Sequence, residues 1–275
     1  MARRHKLLLP SNTISVREAG SYMGGLSAES LVSLSSAVKL EGTGTPFRSP
    51  AVYQFVIAVL ATSIRSFTDV RFHGLSRIPR NGPVIVVSNH ISNLDPIFMV
   101  QAARRPIHFL SKKENFENPL KRLVMTSTGQ IETFRETGAR DALARAVDVL
   151  DAGLALGIYP EGTRSRKRDP PYLQRGKTGV ARLAARFPDV PVVPMVMVGT
   201  QNMMSPGSKM IIRWERVEVR IDEPINFAQW AASEQGGGLS DGDIERLSDS
   251  EDEMSSMYRR FTDQLIETMR QMGAP

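Results

Sequence analysis

A histidine and an aspartate that follow an apolar run are the residues best suited to chemistry in this chain. In "VIVVSNHISNLDPIF", residues 84–98, His90 and Asp95 stand five positions apart. That spacing would put the two side chains on different faces of a helix, so they meet only if the chain turns between them. Ser92 and Asn93 favour such a turn. If the side chains meet, Asp95 accepts a hydrogen bond from one ring nitrogen of His90, and the other nitrogen is left as a general base.

The same residues also have a plainer interpretation. Pro96 suits the first position of a helix, Asp95 can be its N-cap, and His90 can be an ordinary loop residue. A metal site is not predicted, because the three other histidines have no ligand-like spacing. The chain has no cysteine and no G-x-S-x-G sequence, so a covalent acyl-enzyme has no obvious nucleophile. A histidine–aspartate pair without its own nucleophile suits direct attack by a substrate hydroxyl.

A second chemical candidate is "GIYPEGTRSRKR", residues 157–168, which turns at a proline and a glycine and then becomes strongly basic. Alternate residues of an extended segment project to the same side, so Arg164 and Arg166 can form a fork for a phosphate. The alternative is a solvated basic loop. The nearby "RGKTG" lacks the first glycine of a Walker A motif, and an ATP site of that kind is therefore not predicted.

The charge of the chain is unevenly distributed. The formal net charge is +6, and residues 233–253 hold eight acidic side chains against one arginine, which leaves +13 on the rest of the chain. A body this basic favours an anionic partner, either a phosphorylated small molecule, an anionic lipid or nucleic acid, although a generic soluble surface is the alternative. The absence of cysteine fits a reducing compartment.

Short apolar runs alternate with helical patterns between residues 70 and 227, which predicts an α/β fold. The runs are continuously apolar, as expected for strands covered on both faces of a sheet. The predicted strands are 84–88, 107–111, 130–134, 154–159, 192–198 and 216–221. The predicted helices are 95–104, 118–127, 138–151 and 177–187.

The flanking segments predict the domain organisation. Residues 1–48 are rich in Ser, Gly and Thr, which predicts a disordered extension with a short helix near 28–40 at most. The glycines and acids of 233–250 predict a linker after a folded domain at 49–232. Residues 251–275 contain apolar side chains at spacings of three and four, which indicates an amphipathic helix that docks on the body or on a partner.

The segment 51–67, "AVYQFVIAVLATSIRSF", is an apolar helical pattern. It is too short to span a bilayer, so it is either a core helix or lies in a membrane interface with Arg65 at its edge. No run of 18 apolar residues occurs, and three leucines near the start are too few for a signal peptide. Neither a transmembrane helix nor a cleaved leader is therefore predicted.

Several blocks together resemble one family. "NHISNLDP" resembles the N-H-x4-D block of the glycerolipid acyltransferases, the PlsC-like 1-acylglycerol-3-phosphate O-acyltransferases. "TGQIETFR", "YPEGTRSR" and "VPVVPMVMVG" follow in order and resemble the second, third and fourth blocks. The family usually has Phe where Tyr159 stands, and apolar residues where Glu132 and Thr133 stand. The resemblance covers roughly residues 51–227, so it implies that the domain at 49–232 is the acyltransferase domain.

The resemblance implies a mixed, mostly parallel sheet covered by helices. It also implies transfer of a fatty acyl group from acyl-CoA or acyl carrier protein to the hydroxyl of lysophosphatidic acid, giving phosphatidic acid. His90 would be the base and Asp95 the residue that orients it. The candidates for binding the acceptor phosphate are Arg164, Arg166, Arg135 and Lys112. The candidates for binding or orienting the acceptor are Glu161, which would pair with a base or bond to glycerol, Gly162 and Thr163.

The resemblance further implies no metal and no cofactor besides the acyl donor, and no nucleic-acid partner. The expected partner is an anionic membrane surface, with the protein peripheral to the cytoplasmic face of the cell membrane. Three alternatives stay open: an acyltransferase for another lysolipid, a thioesterase that uses water, and a non-catalytic membrane-surface module. The oxyanion donors would be backbone N–H groups near Gly162 or near Pro194.

Overall fold

The strands of the chain lie side by side in one mixed sheet. The computed structural model describes residues 25–133, 138–204 and 215–275. The strands are β1 (Val70–His73), β2 (Val84–Ser88), β3 (Ile107–Lys112), β4 (Ile131–Thr133), β5 (Ala155–Ile158), β6 (Val192–Val198) and β7 (Val217–Ile221). They form a seven-stranded sheet in the order β1-β7-β6-β2-β5-β3-β4. Pairs of neighbouring strands are parallel except β6 and β7, which are antiparallel.

Helices cover both faces of this sheet. They are α1 (Ala28–Ala37), α2 (Val52–Phe67), α3 (Asp95–Ala103), α4 (Glu114–Glu117), α5 (Pro119–Ser127), α6 (Gly138–Asp151), α7 (Gly179–Arg186), α8 (Thr200–Met203), α9 (Phe227–Ala232), α10 (Asp241–Ser248) and α11 (Glu251–Gln271), with 3-10 turns at Leu75–Arg77 and Glu234–Gly236. The predicted α/β fold with a mixed, mostly parallel sheet is confirmed.

The central strand β2 shows why the apolar runs are continuous. All five of its residues are buried. Val84 and Val86 pack into one core with α3, whereas Ile85 and Val87 pack into a second core with α6, α7 and α11. Successive side chains of a strand point to opposite faces, so a strand between two helical layers needs apolar residues at every position.

The elements that the sequence did not predict are short or lie at an edge. Strand β1 has four residues, occupies an edge of the sheet and alternates half-buried with exposed positions. Helices α4, α8 and α9 have four to six residues. A helix this short does not complete the two turns over which a 3.6-residue period becomes visible.

The described part of the predicted extension contains the short helix that the sequence allowed near 28–40, and it packs on the body. Residues 25–48 contain α1, whose Leu34 is fully buried together with Leu26 and Val38 in the core beside α7. The Ser30 hydroxyl donates to the Asp241 carboxylate over 2.6 Å. Leu34 and Val38 have helical spacing, but the surrounding serines dilute the apolar pattern.

The predicted linker at 233–250 also differs in the structure. It contains the 3-10 turn at Glu234–Gly236 and helix α10. The Ser240 N–H donates to the Asp243 carboxylate over 3.0 Å at the start of α10, and Ile244 is fully buried. The acidic residues that suggested a linker therefore include an N-terminal helix cap. The predicted boundary between domain and linker stays a prediction.

Helices α2 and α11 dock on the body. In α2, Tyr53 and Ile57 are buried, whereas Phe55 and Val59 are exposed. One face of this helix therefore packs on the body as in a core helix, and its exposed face is also apolar. In α11, the buried apolar residues predicted from their spacing pack on the sheet and on the Phe227 and Trp230 rings. No helix in the described ranges is both long and apolar enough to cross a bilayer.

Candidate active site

The first and third blocks meet at the carboxyl ends of two neighbouring strands. Val87 of β2 pairs with Ile158 of β5 in parallel register, so the residues that follow these strands leave the sheet side by side. Ligands of open α/β sheets bind outside this edge of the sheet. His90 follows β2, and Glu161 follows β5 within the next turn.

Asn89 fixes the point at which the chain leaves β2. Its side-chain amide donates to the Met197 carbonyl over 3.0 Å, and the Met197 N–H donates back to the Asn89 side-chain oxygen over 2.9 Å. This exchange ties the end of β2 to β6, so the turn that follows starts from a fixed main chain.

The Asp95 carboxylate organises that turn. The residue is fully buried, and its Oδ2 accepts hydrogen bonds from Nδ1 of His90 (2.8 Å), from the Ile91 N–H (2.7 Å) and from the Ser92 N–H (2.8 Å). Asp95 is the first residue of α3, and the N-cap position belongs to Leu94. The alternative in which Asp95 is only a helix cap does not describe this geometry, because the carboxylate bonds to the preceding turn.

His90 is held on two sides. A carboxylate only accepts hydrogen bonds, so Nδ1 of the ring must donate, and Nε2 of the neutral ring keeps its lone pair. The ring stacks on Tyr159 with a centroid distance of 4.0 Å and an interplanar angle of 15°. The His90 side chain is 19% exposed, so the ring lies at the surface of the site.

Glu161 links the two blocks through the main chain. Its Oε1 accepts from the His90 N–H over 2.8 Å, and its Oε2 accepts from the Gln174 N–H over 3.0 Å. The Ser165 N–H also donates to the His90 carbonyl over 2.9 Å. Glu161 was predicted to pair with a base or to bond to glycerol. Among the described residues its carboxylate accepts from these two amides and not from a basic side chain, and the bond to glycerol stays a prediction.

Burial raises the pKa of the Glu161 carboxyl. The side chain is buried, and burial raises the pKa of its carboxyl to about 7, although the hydrogen bonds from the His90 and Gln174 amides lower it. The nearby negative charge of Asp95 raises this pKa further. The carboxylate form is the better acceptor for two N–H groups, so these two hydrogen bonds are strongest above that pKa, although ionising the buried group costs free energy.

The basic side chains predicted to bind the acceptor phosphate differ in their burial and in their contacts. Arg164 lies between the two anchored residues Glu161 and Ser165, and its Nη1 is buried without a hydrogen-bond partner among the described residues. Arg166 and Lys112 are exposed, and Lys112 ends β3 at the same edge of the sheet. Arg135 lies outside the described residues. The structure therefore distinguishes Arg164 as the arginine with an unsatisfied donor at the site.

Gly162 and Thr163 complete the turn after β5. Gly162 has φ of +71°, which favours glycine, and its N–H donates to the Tyr159 carbonyl over 2.9 Å. This N–H is therefore used inside the turn and is not a free oxyanion donor in this conformation. Thr163 is half-buried. Pro194 lies within β6, opposite Val87, and its neighbours are buried strand residues.

Two residues at the site were not predicted. The Tyr159 ring supports His90, and its buried hydroxyl has no partner among the described residues, so burial raises the pKa of this phenol well above its ordinary value. The Lys177 side chain lies over Gly162, where a Cβ would come within 2.9 Å of it. The lysine in "RGKTG" was the available signal for the second residue.

Comparison with known proteins shows which family this site is similar to. Residues 69–198 match the family model described as Acyltransferase. The chain is 32% identical over 178 residues to a chloroplastic 1-acyl-sn-glycerol-3-phosphate acyltransferase of Arabidopsis thaliana, covering 63% of this chain and 49% of the relative. A protein of the same name from Brassica napus is 32% identical over 194 residues, covering 66% of this chain and 55% of the relative. This chain thus spans about half the length of these relatives.

A solved structure shows the same fold. It is the crystal structure of the 1-acyl-sn-glycerophosphate (LPA) acyltransferase PlsC from Thermotoga maritima, which matches with a TM-score of 0.53 and 21% identity over 81% of this chain and 82% of that chain. The matched family segment contains both the His90–Asp95 turn and the Glu161 turn. Residues 69–198 are therefore similar to the acyltransferase family model, and the chain has the fold seen in PlsC.

Proposed function

We propose that this protein transfers a fatty acyl group from a thioester to the free hydroxyl of 1-acylglycerol-3-phosphate, giving phosphatidic acid. The observation that carries the proposal is the 2.8 Å contact between Nδ1 of His90 and the buried Asp95, with the ring partly exposed at the carboxyl edge of the sheet. The names of the relatives, which are 1-acyl-sn-glycerol-3-phosphate acyltransferases, support the choice of acceptor.

The reaction follows from the state of the His90 ring. The acceptor hydroxyl attacks the thioester carbonyl while Nε2 of His90 takes its proton. The tetrahedral intermediate then collapses, the carbon–sulfur bond breaks, and the imidazolium returns the proton to the leaving thiolate. The negative charge of Asp95 stabilises the imidazolium between these two steps. No residue of the protein becomes acylated, in agreement with a chain that has no cysteine.

The acceptor phosphate is assigned to the basic residues of the Glu161 turn. Arg164 is the first candidate because its buried Nη1 lacks a partner among the described residues. Arg164 is half-buried, and a guanidinium with an unused N–H gains a charge-assisted hydrogen bond when a phosphate binds to it. Arg166, Lys112 and Arg135 stay secondary candidates, and we add Lys177, whose side chain lies against Gly162.

The acyl donor is acyl-CoA or acyl carrier protein, and no metal or other cofactor takes part in this proposal. The chain supplies the base, the group that orients it and cationic side chains. Within the described ranges, His, Asp and Glu side chains form no cluster of three that could hold a metal ion.

The membrane contact is assigned to the outer faces of α2 and α5, which we name the lipid-docking surface. Six of the seven large apolar side chains that are strongly exposed among the described residues lie there: Val52, Phe55, Val59, Leu120, Leu123 and Val124. One bond links α2 to the segment after α5, because the side chain of Gln130, three residues beyond α5, donates to the Tyr53 hydroxyl of α2 over 3.4 Å.

The charge of this surface suits an anionic lipid surface. Lys121 and Arg122 are exposed between the apolar residues of α5. Apolar side chains flanked by cations are typical of helices that lie in the headgroup region of anionic bilayers. The protein would then be peripheral to the cytoplasmic face of the cell membrane and meet its lysolipid there.

The test of this function is an acyl-transfer assay with purified protein, labelled acyl-CoA and a panel of lysolipids, with products identified by mass. We expect phosphatidic acid to be the main product. His90→Ala should lower kcat about 10²–10⁴-fold while the protein stays folded, because the general base is lost from a surface position. A folded His90→Ala protein with activity within tenfold of wild type contradicts the mechanism, and a different favoured lysolipid contradicts the acceptor.

A further inference from the structure

The turn that contains Glu161 is supported from behind by residues 172–177, which we name the strap. The Gln174 N–H donates to Oε2 of Glu161 over 3.0 Å, and the Lys177 N–H donates to the Pro160 carbonyl over 2.7 Å. The strap has no helix or strand of its own. Its position therefore depends on what it contacts on its other side.

Helix α11 forms that other side. Nη1 of Arg259 donates to the Gly176 carbonyl over 2.7 Å. Gly176 is packed so tightly on α11 that an added Cβ would lie 2.7 Å from Cγ2 of Thr262 and 3.0 Å from Cγ1 of Ile266. Real Cβ atoms do not approach other atoms as closely as 2.7 Å, so only glycine fits this contact without movement.

The segment after α11 holds the other end of the strap. The N–H groups of Tyr172 and Leu173 both donate to the main-chain oxygen of Pro275, over 3.0 Å and 3.2 Å. Arg220 of β7 donates to the Met272 carbonyl over 2.8 Å and thereby ties the end of α11 to the sheet. The strap is thus clamped at both ends by the C-terminal segment.

We propose that helix α11 and the residues after it position His90 through the strap and Glu161. The chain of contacts runs from α11 to Gly176 and Gln174, then to Glu161, and then to the His90 N–H. This proposal rests on the proposed function for the role of His90, although the contacts themselves do not. Glu161 and the strap are positioning groups, since Glu161 bonds to the main-chain N–H of His90 and the strap bonds to Glu161.

This inference gives α11 a role that the family match does not contain. The match ends at residue 198, whereas α11 covers Glu251–Gln271. The helix is a firm support, because eight of its residues are buried in the core. The strap lies between this rigid helix and the turn that contains Glu161. Because packed interiors do not deform gradually, a small displacement of the strap at α11 also displaces the turn.

The test uses a steric displacement that a second substitution can relieve. In Gly176→Ala the new methyl group meets Cγ2 of Thr262, which pushes the strap away from α11. Thr262→Ser removes that methyl group and keeps the hydroxyl that donates to the Tyr258 carbonyl over 2.8 Å. We expect Gly176→Ala to lower kcat about tenfold with little change in either KM, because positioning errors of about 1 Å or less act on the chemical step. The double variant should regain a measurable part of the wild-type kcat, because the shortest contact is removed while the contact with Cγ1 of Ile266 at 3.0 Å remains.

Gly179→Ala is the matched control. It is the same substitution three residues away, and its new Cβ would lie 3.3 Å from Cδ2 of Leu143, the flexible end of a side chain on α6. This variant should keep the wild-type kcat. The kinetic assays use soluble short-chain substrates, so that a change in membrane binding does not enter the measured KM.

A second readout does not depend on activity. Hydrogen exchange of the amides of residues 89–92, measured by mass spectrometry, should become faster in Gly176→Ala and return to the wild-type rate in the double variant. If wild-type protein shows no acyl transfer, the proposed function fails, and the exchange measurement alone decides the positioning role of α11.

Three results overturn the proposal. The first is a Gly176→Ala protein whose kcat and hydrogen exchange equal those of the wild type. The second is a loss of kcat in Gly176→Ala that the added Thr262→Ser substitution does not relieve. The third is a rise in the KM of Gly176→Ala by the same factor as its loss of kcat. If Gly176→Ala does not fold, Arg259→Gln replaces it, with the exposed Arg260→Gln as its control. Arg259→Gln removes the hydrogen bond to Gly176 and should lower kcat and speed exchange in the same way, and wild-type behaviour of this variant overturns the proposal.

Discussion

Replacing Asp95 by asparagine separates the charge of this residue from its hydrogen bonds. Oδ2 of Asp95 accepts from the Ile91 and Ser92 N–H groups as well as from His90. An amide NH2 cannot occupy that position, because it would face two N–H donors. The amide oxygen of the substituted side chain must therefore take the place of Oδ2 and still accept from Nδ1, so the ring keeps its tautomer.

What Asp95→Asn removes is the negative charge that faces the imidazolium. With the charge centres about 4 Å apart and an effective dielectric constant of about 20, that attraction is worth about 4 kcal/mol. Because about 1.4 kcal/mol corresponds to a tenfold change in rate, kcat should fall by about 10³-fold. The amide NH2 would occupy the position of Oδ1, which has no partner among the described residues, so the free energy of unfolding should fall by about 1–3 kcal/mol.

The assay is kcat for acyl transfer with soluble substrates, together with urea unfolding of the same preparations. Asp148→Asn is the matched control, because Asp148 lies on α6, away from the site, and accepts from the N–H and the hydroxyl of Thr43. The control should lose stability and keep its kcat. A folded Asp95→Asn protein whose kcat is within threefold of wild type would refute the reasoning, since the charge would then have no part in the reaction.

Three further predictions concern the phosphate, the membrane and pH. Arg164→Ala should raise the acceptor KM about tenfold or more and leave the donor KM unchanged, whereas the exposed Arg168→Ala should change neither; equal effects on both substrates would misplace the phosphate site. Aspartate at both Phe55 and Leu123 should weaken binding to anionic vesicles by about 100-fold, whereas Val32→Asp on α1 should not, and equal losses would contradict the lipid-docking surface. Burial raises the pKa of Glu161 from 4.5 to about 7, so its protonated form stabilises the fold at low pH and this contribution is lost as the pH rises through about 7. The free energy of unfolding of the wild type should therefore fall relative to that of Glu161→Gln as the pH rises from about 4.5 to about 7, and a difference that stays constant with pH would contradict the pKa.

The sequence predicted the parts of the site that are local. His90 and Asp95 lie in one turn, and residue type and spacing gave their contact as one of two interpretations, beside a helix cap and an ordinary loop residue. The central strands were equally predictable, because β2 and β6 are buried on both faces and therefore read as unbroken apolar runs. The roles of these residues in catalysis stay predictions until they are measured.

The parts that the sequence did not predict depend on contacts between distant segments. Glu161 is a carboxylate among cations in the sequence, which suggests an ion pair, yet in space the nearest donors are amides 71 and 13 residues away. The stacking of Tyr159 on His90 likewise requires the register between β2 and β5. The local sequence of a strand does not show which other strand lies beside it in the sheet. These contacts can therefore be recognised only in the three-dimensional structure.

The bond between Asn89 and Met197 has a consequence for synthesis on the ribosome. It joins residues that are 108 positions apart, and β6 must pair with β2 before it can form. A nascent chain that has emerged only through α6 already contains both His90 and Asp95, but nothing yet fixes the exit of β2. His90 and Asp95 are thus synthesised early, whereas the contact that fixes the end of β2 forms late, so an unfinished chain contains the histidine without the Asn89–Met197 bond that holds its turn in place.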